Sequence, residues 1–246
     1  MMNPRRQLRE DIEAVARQQF RRRSGSIPYR SPLFGYASAH DERFIRLKQL
    51  ASPGHTTPGE LLPTARTVMV VFLPFGAPVV ESNRDSPVVA RLWAEAYVEA
   101  NELLAEVMDA LTCSLVEWGY SSLSIAPTGE FDPQTLTARW SHRHAGVLAG
   151  LGQLGLNRML ITRLGCAGRL ASLVTTASLG ATQPGEAFCH RCGECARACP
   201  AGALKPDARF DRQACYRYLR QVAAIHSDLK EAEVCGKCVT GSCSIL

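Results

Sequence analysis

The sequence predicts an α+β chain: a sheet-and-helix α/β domain over residues 1–180, followed by a small cysteine-rich domain over residues 181–246. Three observations predict it. The continuous apolar run TVMVVFLP at 67–74 has the pattern of a strand buried on both faces. A long apolar stripe at helical spacing runs from Val89 to Leu111. Eight of the ten cysteines fall between positions 189 and 243.

Taken in order, residues 7–20 place Leu8, Ile12, Val15 and Phe20 at helical spacing, so an amphipathic helix comes first. The basic cluster Arg21–Arg23 behind it reads as a solvated helix end, where cations favour the C-terminal dipole. A nucleic-acid contact is its alternative. Residues 24–66 are rich in Pro, Gly and Ser and predict loop with short helical pieces. After the strand at 67–74, Ser86–Pro87 predicts a helix start, with Ser as N-cap and Pro in the first turn. Leu92, Trp93, Ala96, Ala100, Leu103, Leu104, Val107 and Met108 continue its buried stripe, and Gly119 is the natural stop. SSLSIAP at 121–127 and RLASLVTT at 169–176 predict further strands, with RMLIT at 158–162 a shorter one. Strands alternating with helices predict a sheet flanked by helices, its strand order open. GATQPGE at 180–186 predicts a linker.

Composition bounds the function. With 28 Lys and Arg against 23 Asp and Glu the chain is mildly basic, and 46% hydrophobic residues suffice for a real core. No apolar run approaches the roughly 20 residues of a membrane-spanning helix. The N-terminal MMNPRRQLREDIEAV lacks the apolar centre of a secretory signal and carries acids that a transit peptide avoids. Ten cysteines without such a signal point to metal ligation in a reducing compartment, so the expected location is the cytoplasm, away from membranes.

The run CHRCGECARACP at 189–200 has the spacing C-x2-C-x2-C-x3-C-P. Such a run gives three thiolates to one [4Fe–4S] cubane and sends its fourth to a second cluster. Two cubanes need eight thiolates, and Cys215, Cys235, Cys238 and Cys243 complete that number. The interleaved assignment is Cys189, Cys192, Cys195 and Cys243 on one cluster, with Cys199, Cys215, Cys235 and Cys238 on the other. Leu219, Val222, Ala223 and Leu229 predict a short amphipathic helix between the later ligands. Two four-cysteine zinc sites are the competing reading. Cys113, near the end of the long helix, reads as a buried thiol; Cys166, between two strands, reads as structural, with a cofactor contact as its alternative.

GLGQLG at 150–155 matches G-x-G-x-x-G letter for letter, yet helix precedes it, strand follows, and no acidic residue occurs from 133 to 185. The dinucleotide reading needs the reverse order and an acidic partner, so it is rejected. The glycines instead predict a helix end with close backbone approach to something. WSHRHAG just upstream, its helix capped by Ser141, gathers His142, Arg143 and His144 beside that turn, which marks a candidate ligand pocket.

AGLGQLGLNRMLIT, then GRLASLVTT, then the cysteine array resemble the epoxyqueuosine reductase family and its relatives among the reductive dehalogenases, over most of the chain. The resemblance implies a nitroreductase-like, cobalamin-binding α/β domain followed by a ferredoxin-like domain, with electrons passing through two [4Fe–4S] clusters to cobalt. It extends the cofactor-binding candidates to His142, Arg143, His144, Gly150, Gly152 and Asn157. The sequence departs from the family in three places. The catalytic Asp expected about fourteen positions before AGLG is replaced by Leu136 or its neighbours, leaving Asp132 as the nearest catalytic candidate. Leu156 stands where a Lys is usual beside Asn157. The sequence stops at Leu246, short of the helical repeats that read tRNA, so tRNA is not an expected partner. None of the six histidines lies in a D-x-H-x-x-G motif, which agrees with base-off cobalamin.

Two functions follow. The first is a corrinoid-type reductase fed through two [4Fe–4S] clusters by a redox partner protein. The alternative is an iron–sulfur electron-transfer protein without corrinoid or catalysis of its own, docking a redox partner; a small-molecule or corrinoid ligand is a separate expected partner.

Overall fold

The computed structural model describes residues 4–22, 25–129, 131–230 and 232–246. Strand β2 (Thr67–Pro74) is buried along its whole length, as its unbroken apolar run requires. β1 (Leu33–Ser38) pairs with it on one side and β8 (Gly168–Thr175) on the other, and β3 (Ser122–Ile125) pairs with the far edge of β8. All three pairings are antiparallel, in the order β1-β2-β8-β3. An antiparallel sheet can leave one face to water, but here helices cover both. Met69, Val71 and Leu73 of β2 point into the apolar cluster built around α5 (Arg91–Glu117), with Ile12 and Ala16 of α1 (Pro4–Arg22). Val68, Val70 and Phe72 point the other way, onto Phe44 and Leu47 of α2 (Arg43–Leu50) and Leu148 of α6 (His142–Leu148). Alternation along the strand explains a run with no polar side: each face has its own helix layer.

The expectations for α1, β2, β3, β8 and the short β7 (Leu160–Thr162) hold, each trimmed at its ends. Gly119 ends α5 with φ of 84°, and Tyr120 N–H donates to Leu115 O at 2.8 Å, the helix-closing bond that a left-handed glycine permits. Three features differ from the sequence reading. Ser86–Pro87 does not start the long helix: α4 (Ala77–Asp85), entered through Pro78, ends there with Ser86 as its C-cap, and α5 begins at Arg91. Asn83 of α4 braces that start, its Oδ1 accepting the N–H of the N-cap residue Ala90 at 3.1 Å. Residues 24–66 contain not only α2 and α3 (Pro58–Leu61) but also edge strand β1, whose glycine had hidden it. Cys113 is exposed rather than buried, since it lies on the side of α5 away from Met108, Leu111 and Leu115. Arg23 lies outside the described residues.

Two small hairpins complete the main domain: β4 (Phe131–Asp132) with β5 (Thr137–Ala138), and β6 (Gly152–Leu154) with β7. The stretch read as a linker is strapped to β1, with Thr182 N–H donating to Tyr36 O at 2.8 Å and Tyr36 N–H to Thr182 Oγ1 at 3.1 Å. Beyond it come α7 (Glu194–Arg197), α8 (Arg212–Ile225) and a 3-10 turn at Lys237–Val239. Val222, Val234 and Val239 join the α5 cluster, so apolar contact is continuous from the main domain into the cysteine-rich end. Among the described residues no helix is long and apolar enough to cross a membrane.

Leu104, fully buried where α5 meets the sheet, is the sharpest probe of this arrangement. Leu104→Ala leaves a cavity between two rigid layers, and about 2–5 kcal/mol of stability is expected to go. A urea midpoint lowered at unchanged slope would register it.

Candidate metal centre

Backbone turns bring the cysteines together. Gly193 (φ 78°) and Gly236 (φ 70°) take the left-handed conformation just after Cys192 and Cys235, where the chain must bend back on itself. Cys215 rides on α8, which Asp211 caps by accepting the Ala214 N–H at 2.9 Å. Near the C-terminus the chain returns to the first run: Ser242 N–H donates to the Glu194 carboxylate at 2.7 Å, and Cys192 Sγ lies 3.9 Å from Ser242 Oγ. That return places Cys243 beside Cys195.

The thiols fall into two electrostatic neighbourhoods. Burial raises the Cys195 pKa, and the neighbouring sulfurs of Cys243 and Cys192 raise it further. Burial likewise raises Cys215, with Cys199 adding to it. Cys235 is pushed up to about 11 by burial, with Cys215 and Cys199 contributing. Cys238, the most deeply placed, is driven higher still by burial and then by Cys235, Cys215 and Cys199. Cys189 is held from the main domain, its Sγ accepting the Leu156 N–H at 3.3 Å. Cations that compensate thiolates are at hand in the second neighbourhood. Lys237 is buried next to Cys235, its ammonium donating to Ser86 O at 2.5 Å and to Asn83 O. Arg143 offsets part of the shift at Cys215. Cys192 alone of the eight is exposed. Among the described residues no three His, Cys, Asp or Glu side chains converge on one point tightly enough to hold a single ion.

Cys166, outside the sequence pattern, sits 3.8 Å from Cys243, sulfur to sulfur. Its place in LGCAGR gives no spacing signal, because the contact spans the whole cysteine-rich end.

The polar residues singled out around the glycine turn are mostly engaged within the protein. His142 donates Nε2–H to Ala126 O at 2.8 Å and accepts from Ser172 Oγ at Nδ1, 2.8 Å. Burial lowers its pKa to about 4. His144 pairs with the capping Ser141 through Nδ1 at 2.7 Å, and burial, then Arg143 and His55, lower it to about 4 as well. Gly150 and Gly152 do permit close approach, but of the protein's own backbone. A Cβ on Gly150 would stand 2.2 Å from Gln183 O, and one on Gly152 would stand 1.9 Å from Ile161 O. Asn157 is buried and gives its Nδ2 hydrogens to Cys238 O at 3.1 Å and Cys166 Sγ at 3.6 Å. Arg143 alone is exposed, though enough protein surrounds it that desolvation lowers its pKa; its Nη1 donates to Arg158 O at 2.8 Å. Arg212, Arg158 and Arg169 are its charged neighbours, with Cys238 the counterweight.

Asp132 is exposed in the β4–β5 hairpin, where its Oδ1 accepts the N–H groups of Gln134 (2.8 Å) and Thr135 (2.9 Å). Those bonds hold its carboxyl below the usual range, so it closes a turn as a carboxylate. The hairpin itself leans on α8, through Phe131 against Tyr216 at 5.6 Å and Gln213 Nε2 donating to Gln134 O at 3.0 Å.

A helix-covered antiparallel sheet carrying this thiol array defines an iron–sulfur protein, and residues 185–205 match the 4Fe-4S binding domain. In sequence the chain is similar to epoxyqueuosine reductases. It is 26% identical over 201 residues to epoxyqueuosine reductase of Staphylococcus aureus, covering 79% of this chain and 48% of that protein. With the Synechocystis enzyme it shares 28% over 174 residues, 69% of this chain and 56% of the relative. With that of Listeria monocytogenes it shares 28% over 148 residues, 59% and 36%. The chain thus spans about half the length of these curated relatives or less. In fold it matches a crystal structure of epoxyqueuosine reductase with TM-score 0.62 at 22% identity, over 88% of this chain and 58% of that one. A catabolic reductive dehalogenase matches with TM-score 0.59 at 17% identity, over 85% and 28%.

The depressed histidines carry a pH signature. A folded pKa near 4 against an unfolded value near 6.5 means the unfolded chain binds the extra proton between those pH values. Stability contributed by a neutral His142 is therefore complete above about pH 7 and lost as pH falls towards 4. His142→Gln should flatten the fall in stability between pH 7.5 and 5.5 by roughly 1–2 kcal/mol. Thermal midpoints of both proteins across that range give the comparison.

Proposed function

We propose that the chain is an epoxyqueuosine-reductase-like iron–sulfur oxidoreductase with two [4Fe–4S] clusters in series. Cys189, Cys192, Cys195 and Cys243 hold the first; Cys199, Cys215, Cys235 and Cys238 hold the second. The observation that carries this is the return of Ser242 and Cys243 onto the first run while Cys199 sits with Cys215, Cys235 and Cys238. That is the ligand exchange a C-x2-C-x2-C-x3-C-P run implies. The 4Fe-4S match over 185–205 favours iron over zinc.

The two clusters differ in access, which gives the electron path a direction. Exposed Cys192 puts the edge of the first cluster at the surface, where a redox partner protein delivers electrons. The second is enclosed by α8, the Lys237–Val239 turn and the main domain, with Arg143 on its far side. A guanidinium there opposes the negative charge that reduction adds, and the arginines around it suit an acceptor with anionic groups.

The resemblance implies cobalamin as that acceptor. The residues read as its cradle do not fit the part: His142, His144, Gly150, Gly152 and Asn157 are occupied by the protein's own groups, and Asp132 by its turn. No step is therefore drawn through a corrinoid, and Arg143 is the one candidate open to a ligand.

Metal analysis of the anaerobically purified chain tests the reading. Roughly eight irons with matching acid-labile sulfide are expected; about two zincs in their place would overturn it. Cobalt carried through purification would reinstate the corrinoid. Cys243→Ser is expected to lose the first cluster, roughly four irons, and to leave the EPR signal of the second in place.

A further inference from the structure

We propose that Cys166, which is not one of the eight ligands, tunes the reduction potential of the first cluster by donating its S–H to the sulfur of Cys243. The inference rests on the two-cluster reading and deepens it. Cys166 lies in the turn between β7 and β8, against the returning C-terminal segment. Two backbone bonds fasten the segments together, Cys166 N–H to Cys243 O at 3.1 Å and Ala167 N–H to Ser244 O at 3.2 Å. The neighbouring Gly165 allows this approach, since a Cβ there would stand 2.1 Å from Ser244 O, and its φ of 93° is one that other residues rarely take. The backbone thereby fixes the 3.8 Å between the two sulfurs.

The direction of the contact follows from the donors around it. Asn157 Oδ1 accepts the Met159 N–H at 3.0 Å, so its Nδ2 faces the sulfur and donates to Cys166 Sγ at 3.6 Å. An iron-bound Cys243 has no proton to give and only accepts. The Cys166 proton therefore points to Cys243, in a relay from Asn157 through Cys166 to the ligand. The Leu156 N–H on Cys189 supplies a second donor to the same cluster. Hydrogen bonds to ligand sulfurs stabilise the reduced, more negative state and raise its potential. The main domain thus reaches into the first cluster through two donors while supplying none of its ligands.

The test is an EPR-monitored redox titration of the anaerobic full chain as wild type, Cys166→Ala and Cys166→Ser, with iron counted in each. Expected are unchanged iron, an unchanged second cluster, and a ratio of reduced to oxidised first cluster at fixed potential that falls roughly three- to ten-fold in Cys166→Ala. Serine, which keeps a donor, should recover most of that loss. An Ala variant that keeps its iron and titrates like wild type would overturn the proposal. So would loss of iron from Cys166→Ala but not from Cys243→Ala, which makes Cys166 the ligand. A wild type without roughly eight irons overturns the two-cluster reading first, and the proposal with it.

Discussion

Everything at the cysteine-rich end depends on one approach: the C-terminal segment running alongside the turn at Gly165 and Cys166. The backbone bonds from Cys166 and Ala167 to Cys243 and Ser244 set the height of Cys243. Glu194, through the Ser242 N–H, sets its distance from the first run. Arg84 holds the same segment from the side, donating Nε–H to Thr240 O at 2.6 Å, and Arg30 reaches Leu246 O at 3.1 Å. A segment with no regular structure of its own is positioned almost entirely by side chains and turns of the main domain. Without them Cys243 would not lie beside the cysteines of the first run.

The same interlocking explains why the main domain and the cysteine-rich end share a core. Gly236 allows the ring of Trp93 to lie where a Cβ would stand 2.1 Å from it, and Asn83 Nδ2 donates to Cys235 O at 2.9 Å. Buried Lys237 bonds carbonyl groups at the α4–α5 joint. Burying an ammonium is costly without such partners, and here they come from across the boundary. The helix joint and the ligand turn therefore hold one another in place.

How much of this the sequence disclosed depended on the range of the interactions. β2 and the body of α5 are written in contiguous patterns, and each stands where those patterns put it. The proposed ligand exchange rests on the C-x2-C-x2-C-x3-C-P spacing, which is itself contiguous. Edge strand β1 was not legible, since Gly35 and the surrounding Pro and Ser mimic loop. The start of α5 was misplaced because its N-cap is Ala90, which carries no capping side chain to signal it. Around GLGQLG the letters pointed to a ligand, whereas the close neighbours of Gly150 and Gly152 are Gln183 and Ile161. A sequence shows that a backbone must pass closely there without saying whose. Cys166 was the hardest to weigh, because its partner lies 77 positions away.

That separation bears on the order in which the molecule assembles. The sheet pairs β2 with β8, Thr67 opposite Thr175, so the strand that follows the Cys166 turn is placed only by long-range closure. The second quartet spans a shorter stretch and is gathered largely by α8 and the Lys237–Val239 turn. Local segments close faster and at lower entropy cost than distant ones. On the proposed two-cluster reading, the buried quartet can therefore begin to gather while the sheet is still closing, whereas the quartet completed by Cys243 waits for the finished fold. Iron at that first quartet would then double as a mark that folding is complete.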